Sequence, residues 1–404
     1  MTAANLSETG SPATLSLGGR PEARLVHANE IVIEQVPRRR LPPRLSPWRR
    51  ARRSLTIALC LGLVPTASSY LTTVTGPSNS NFTIRSIEWL RDHGAAPIAA
   101  QIESIYYSLK APASGGPGLR SLPLRSRAAG VATAHPPDVA PAIKPALPGE
   151  GVWVPSETWS GSSSPVQTTE FRSDPSYPRI VAGVAWIDTA RTTVALYPGR
   201  LEPSVSLPRG AMAVPPPLRP RLLATFNSAF KLQDSGGGFA VGGQAYAPLK
   251  PGMATLIGHA NGRIDIEAWS GGPGLPPGIA FARQNLPLIV QAGQPNPNLS
   301  DGPEWGQTLG NAVRVWRSGV GVDAGGNLIY AAADNQTVGS LAGILIRAGA
   351  VRAMQLDINS YWVSFITYAQ PGAGASSNLL PGMTRSAERY VTPDDRDFFA
   401  VYAR

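Results

Sequence analysis

The sequence predicts an α+β protein of mixed, mainly antiparallel β-sheets with flanking helices, preceded by a single transmembrane helix. Three observations carry that expectation. Short runs of alternating apolar and polar residues, punctuated by Gly-rich turns, dominate residues 151–404. One amphipathic run with helical spacing, Thr337 to Ala350, lies among them, and one uncharged apolar stretch, Ser54 to Val74, stands apart near the N-terminus.

Composition narrows the function classes. The 404 residues include 42 Gly and 40 Pro, so loops and linkers take much of the chain and one real core is expected. The formal net charge is +10, but residues 1–53 hold ten Arg and four Glu, and 10 − 4 = +6 of it sits there. The rest is mildly basic, without an RNP-like aromatic strand or a recognition-helix pattern, so nucleic acid is not expected as a partner. The sole cysteine, Cys60, lies in the apolar stretch and permits no intramolecular disulfide. Of His27, His93, His135 and His259, only the last falls in the compact part of the chain. A three-His zinc site or HExxH helix is thereby excluded, and a Ser-His-Asp triad would need His259 although no GxSxG elbow accompanies it.

Residues 1–53 are Pro-, Arg- and Ala-rich without hydrophobic periodicity, and a disordered basic tail is expected. Residues 54–74 follow the basic run PRRRLPPRLSPWRRARR; at about 1.5 Å per residue they reach roughly 30 Å, the thickness of a bilayer core. The basic flank orients the tail to the cytoplasm and everything after about residue 75 to the outside, a single-pass protein of the cell membrane. Some fifty preceding residues favour an uncleaved signal anchor over a cleaved signal peptide, with Ala67 and Ser68 leaving cleavage open.

Residues 75–110 form a juxtamembrane segment, helical from 83 in two parts broken at Gly94 and Pro97. Ile87 and Leu90, then Ile98, Ile102, Ile105 and Tyr106, recur at helical spacing. A stalk, a partner-binding helix and a helix packed on the main domain all fit. Residues 111–150 read as an extended Pro/Gly/Ala-rich linker, and the main domain spans 151–404.

Within that domain, Ile180 to Asp188 and Thr192 to Gly199 read as a hairpin, and Leu222 to Phe230 as a strand end, LLATFNSAF. SGGGFAVGGQAY gives Gly-punctuated strands, and Asn261-Gly262 sets a hairpin inside ATLIGHANGRIDIEAW. Arg314 to Asp334 reads as strand, Gly325-Gly326 turn, strand. A helix follows with Thr337 as N-cap and Gly349 near its end, then the strand VRAMQLD. Strand, helix and strand make a crossover that puts Asp357 at a carboxyl end, where α/β sheets often build their sites.

The ordered set FNSAF (226–230), a Gly-rich hairpin, RSGVGVDAGGNLIY (317–330), an amphipathic helix and MQLDINS (354–360) resembles the phosphodiester glycosidase family over roughly residues 178–403. In that family an NGGFF-like strand end, an R-T-x-x-G strand with a D-x-x-G turn, and an LDGGGS-like strand end line a common site. Asn227 and Phe230 match the first motif, with Ser228 and Ala229 in place of its glycines. Arg317, Ser318 and Gly321 match the second. Leu356, Asp357 and Ser360 match the third, where Ile358 and Asn359 replace glycines.

The resemblance implies a membrane-anchored extracytoplasmic hydrolase that cleaves the glycosidic bond of a sugar-1-phosphodiester in cell-envelope glycan metabolism. The alternative is a non-catalytic envelope protein that binds anionic glycans through the same cleft. Such cleavage builds oxocarbenium character and releases a phosphomonoester, so an anion clamp matters more than a strong acid. Arg317 is the expected phosphate clamp; Arg314, three residues away on a strand, faces the other side. Asp357 reads as nucleophile, general base or ligand of a divalent cation, or else as an Asx cap of its turn. Ser318, Asn359 and Ser360 are expected substrate contacts, and Asn227 either bonds a sugar hydroxyl or holds the turn after its strand. Tyr361 and Trp362 would stack on a sugar or fill the core. Asp323 and Asp334 are candidates for a second carboxylate, Asp323 mainly as a turn residue. No cofactor is required, although a divalent cation bridging the phosphate fits; the expected partners are the glycan substrate and, through residues 54–74, the bilayer.

Overall fold

The computed structural model describes residues 46–404 except 124–134, 157, 160–161, 301, 307–312 and 370–374. The basic tail and the middle of the expected linker fall largely outside them. The chain divides into Met1–Leu63 and Val64–Arg404. The helix Pro47–Thr75 begins in the first unit and ends in the second. Among the described residues it is the one helix long and apolar enough to cross a membrane, and none of its residues is buried. A core helix of that length would hide one face. This one fits a single-pass anchor or a signal segment.

Three antiparallel sheets build most of the second unit, with few helices, as the alternating runs predict. The largest has eight strands, and its centre runs Val166–Arg172, Val181–Ile187, Leu328–Gln336, Val315–Val322, Arg352–Gln355. Period two sorts its side chains cleanly. Val320, Tyr330 and Met354 join the core with Phe226, Phe365 and Phe399 of a five-stranded sheet, while Ile329, Ala331 and Ala333 face Leu341 and Leu345 of the helix Val338–Arg347. Burying each such leucine is worth roughly 1.5–3 kcal/mol. Gly319 lets helix and sheet approach: a Cβ there would lie 3.0 Å from Leu345 and from the carbonyl oxygen of Met354.

The helix starts at Thr337, whose hydroxyl accepts the amide of Ser340 at 3.1 Å in a reciprocal capping box. Val315–Val322 is antiparallel to both Leu328–Gln336 and Arg352–Gln355, so the last two run parallel with one strand between them. The expected crossover is thus present, and Asp357 lies two residues past its second strand. The hairpins Phe239–Val241 with Gln244–Ala247 and Ala254–His259 with Ile264–Ala268 pair as expected.

Two expectations need correction. Val181–Ile187 and Thr192–Tyr197 do not pair with each other. The first lies between Val166–Arg172 and Leu328–Gln336; the second pairs with Phe398–Ala403 in another sheet. Alternation and a short turn look the same whether the chain doubles back or switches sheets, but Val181–Ile187 is buried along its whole length. A central strand of that kind needs a partner on each edge. Nor does the domain begin at Gly151. Val139 is core, and Arg172 pairs with Glu150 while donating to the carbonyls of Ile143 and Pro145. Pro-rich backbone can pack when a buried guanidinium meets its carbonyls.

The juxtamembrane helices pack on the main domain, one of the three readings open from sequence. Phe82–Leu90 and Ala96–Leu109 flank a wide turn, Arg91–Ala95, where Gly94 takes φ +80°. Asn81 caps the first, its Oδ1 accepting the Ile84 amide at 2.9 Å. Tyr107 of the second packs with Val315, Ile358 and Phe230.

Candidate active site

Two strand ends and the middle of a third strand converge. Asn227 closes Leu222–Asn227, Ser318 lies in Val315–Val322, and Asp357 follows Arg352–Gln355. Asn227 Nδ2 donates to Ser318 Oγ at 3.0 Å, and Ser318 Oγ donates to the Asp357 carbonyl at 2.6 Å. Asn227 Oδ1 accepts from Tyr330 Oη and the Ser364 amide. All three residues are buried. Asn227 and Ser318 therefore act on the protein itself in this structure: they lock the strand ends that aim Asp357.

Arg317 is also buried, and its fork is turned inward. Its donors reach the carbonyls of Gln336, Trp305 and Val313 and the side-chain oxygen of Gln355 at 2.7 Å. The guanidinium expected to hold a phosphate is engaged instead in tying loop carbonyls to the sheet. Arg314 sits on the other side, paired with Asp174 at 3.0 Å and 3.9 Å from the Tyr177 ring. Asp323 caps its turn, accepting the Asn327 amide and the Trp186 indole. Asp334 accepts the amide of Asn335 and lies outside the cluster around Asp357.

The cation at Asp357 is Arg396. Its Nη2 donates to Asp357 Oδ2 at 2.7 Å, while Oδ1 accepts the Asn359 amide at 2.9 Å as an Asx turn would. Burial pushes the Asp357 carboxyl above its ordinary value, and Arg396 only partly reverses this; Glu88 adds to the rise. Burial alone would lower Arg396, yet Asp357, Glu202 and Glu88 hold it up. Sequence reasoning missed Arg396, and the available signal was TPDDRDFF, a charge cluster running straight into an apolar strand.

Trp362 lies beneath the guanidinium groups of Arg385, Arg389 and Arg396, 5.1–5.3 Å from its ring centre. It is buried, yet among the described residues its indole Nε1, Arg396 Nε and Arg385 Nη1 have no hydrogen-bond partner. Three donors without acceptors in one buried cluster are costly unless something supplies acceptors.

A cavity of ≈ 30 Å³ touches Asp357, Asn359, Trp362, Arg396 and Lys231. It holds about one water. Its outer wall is the juxtamembrane segment: Glu88 pairs with Lys231, Asp92 lies 3.6 Å from the same ammonium, and Gln233 donates to Asp92. Lys231, Arg91 and Arg396 hold the Glu88 carboxyl below its usual range despite burial. Ser360 meets Tyr107, and Tyr361 Oη accepts the Asn81 amide, so the expected contact residues at this edge are covered by the same segment. Among the described residues no three His, Cys, Asp or Glu side chains gather as metal ligands.

A sequence model of the phosphodiester glycosidase family matches residues 250–357, ending on Asp357. The family resemblance is therefore found independently over the stretch that carries Arg317, Ser318 and Asp357. Among curated proteins no sequence match to the chain was found. Solved structures with a similar chain trace include the catalytic domain of zebrafish N-acetylglucosamine-1-phosphodiester alpha-N-acetylglucosaminidase, described as auto-inhibited by its pro-peptide. Identity is 14% over 62% of this chain and 87% of that one, with a TM-score of 0.38. A hypothetical protein from Synechocystis gives 12%, 59%, 62% and 0.36, and a Burkholderia pseudomallei protein described as exported gives 13%, 57%, 75% and 0.33. At that distance none of the three carries the functional reading.

Proposed function

We propose that this chain is a membrane-anchored glycosidase that hydrolyses a sugar-1-phosphodiester outside the cytoplasm, in cell-envelope glycan metabolism. The observation that carries the reading is a buried carboxylate, Asp357, at the end of a family-matched strand, held by one arginine beside two donors that lack acceptors. A phosphodiester supplies acceptor oxygens for Arg396 Nε and Trp362 Nε1 and an anion for Lys231.

The bond between anomeric carbon and phosphate oxygen breaks, and the phosphomonoester leaves with the electron pair. Asp357, as base, takes a proton from the water whose oxygen joins the anomeric carbon; as nucleophile it forms that bond first and water then releases the sugar. Its carboxyl, raised by burial above the ordinary value, suits a general base. The cavity at Asp357 has room for about one water, so a sugar enters once Glu88 leaves Lys231 and the helix Ala96–Leu109 lifts its Tyr107 from Ile358 and Phe230. Glu88 occupies the place on Lys231 that the phosphate would take.

The test is hydrolysis of a panel of sugar-1-phosphodiesters by the full chain in detergent, beside Asp357→Asn and Arg396→Gln. Loss of turnover in both supports the assignment, and unchanged turnover in both removes it. The small closed cavity also favours the second reading, glycan binding without turnover; tight binding with no product over long incubation would select it. A reporter fused at Arg404 should read out as extracytoplasmic, and a cytoplasmic signal would overturn the anchor.

A further inference from the structure

A second, larger cavity of ≈ 510 Å³ adjoins the first, and nothing in the reaction above uses it. Its inner wall is shared with the Asp357 cavity through Glu88, Lys231, Trp362 and Arg396. Its lining also takes in Thr72, Thr73, Gly76 and Pro77, from the last turn of the apolar helix and the residues just after it. Trp89 and Leu201 add apolar surface to it, and Arg200, Glu202 and Asp395 add charged groups. The volume lies within the range of about 300–1,000 Å³ that holds small ligands.

The make-up of the lining constrains the occupant. In a bilayer-spanning helix Thr72 to Pro77 sit at the outer interface, so one cavity borders both the membrane surface and the charged groups beside Asp357. A ligand that uses both carries its phosphate near Lys231 and Arg396 and its hydrocarbon toward the membrane.

We infer that this cavity is the aglycone subsite and that the substrate is a lipid-linked sugar phosphodiester presented from the membrane surface. The inference rests on the proposed reaction for the position of the phosphate. Lys231 and Arg396, which line this cavity too, are the cations that would hold the phosphate. The chain's own tether thereby forms part of the substrate site, so releasing residues 64–93 from the domain removes the lipid-side wall.

The experiment uses the full chain in phosphatidylcholine nanodiscs with a sugar-1-phosphodiester of a long-chain alcohol, carrying a diazirine on the first carbons of the chain. Light should label the segments Thr72–Ser80 and Arg200–Ser204, and excess unlabelled diester should abolish the labelling. Leu201→Trp and Ser204→Trp, two separate ways to fill the cavity, should each reduce it about tenfold. Labelling confined to the apolar helix before Thr72, or labelling that both tryptophan variants leave unchanged while circular dichroism shows them folded, overturns the inference. Labelling does not need turnover. Cavity labelling without product removes the proposed hydrolysis and keeps the subsite, whereas product without cavity labelling keeps the hydrolysis and removes the subsite.

Discussion

Asp394 and Asp357 are both buried aspartates that meet arginines from the same C-terminal stretch, yet their carboxyls shift in opposite directions. Burial pushes Asp394 up as well, but Arg389 and Arg385 more than reverse it and its pKa ends below the ordinary value. Arg389 grips it with Nε at 2.7 Å and Nη2 at 3.1 Å, Asn79 donates at 2.7 Å, and the Arg396 amide adds a fourth close donor. Asp357 receives one guanidinium bond and one amide, and faces the like charge of Glu88. The difference teaches what separates a structural carboxylate from one available for chemistry: the first has its lone pairs filled, and the second keeps part of its desolvation cost uncompensated.

The sharpest break of that comparison is a pair of isosteric changes. Asp394→Asn should cost about 3–5 kcal/mol in urea unfolding, because it leaves Arg389 and Arg385 buried without their counter-charge. Asp357→Asn should cost less than about 2 kcal/mol, since Glu202 and Glu88 still face Arg396, while turnover falls by about 10²–10⁴-fold. Equal stability losses would erase the distinction.

pH separates the two next. For Asp394 the folded pKa lies below the unfolded value of about 3.9, so its contribution is present above that pH and is lost as pH falls through the folded value. For Asp357 the folded pKa is raised, so stability declines as pH rises from about 3.9 to the folded value. Stability against pH in Asp394→Asn should lose the acid-side drop. The acid limb of kcat/KM in the wild-type chain should lie above the ordinary carboxylate range, and a limb at or below it would count against Asp357 as base.

A smaller effect belongs to the cover. Glu88→Ala removes the largely buried pairing with Lys231, leaving the ammonium with Asp92, and should speed amide exchange in residues 82–109 while the central sheet is unaffected. The smallest change lies far from both aspartates. Thr337→Ala loses the capping box and should cost about 1 kcal/mol with no change in turnover.

Several parts of this picture were legible in the chain itself. Strand alternation, the Asn261-Gly262 and Gly325-Gly326 turns, the Thr337 cap and the Gly94 break are local signals, and local geometry obeys them. The apolar run also announced its helix, although the helix extends from Pro47 to Thr75. The site was legible to the extent that Asn227, Ser318 and Asp357 close on one another. Where Arg317 points was not, because a strand residue's face is readable but the acceptors waiting on that face come from loops distant in sequence.

By itself, then, the sequence determined the elements, the family resemblance and the carboxylate at a strand end, since these depend on periodicity, turn chemistry and short motifs. Tertiary structure alone decided that Arg396 rather than Arg317 meets Asp357, that Thr192–Tyr197 leaves its neighbour for another sheet, and that residues 82–109 close over the site. Each is a contact between segments far apart in the chain, set by which buried charge finds which acceptor when the sheets pack. Nothing in a local window specifies that pairing.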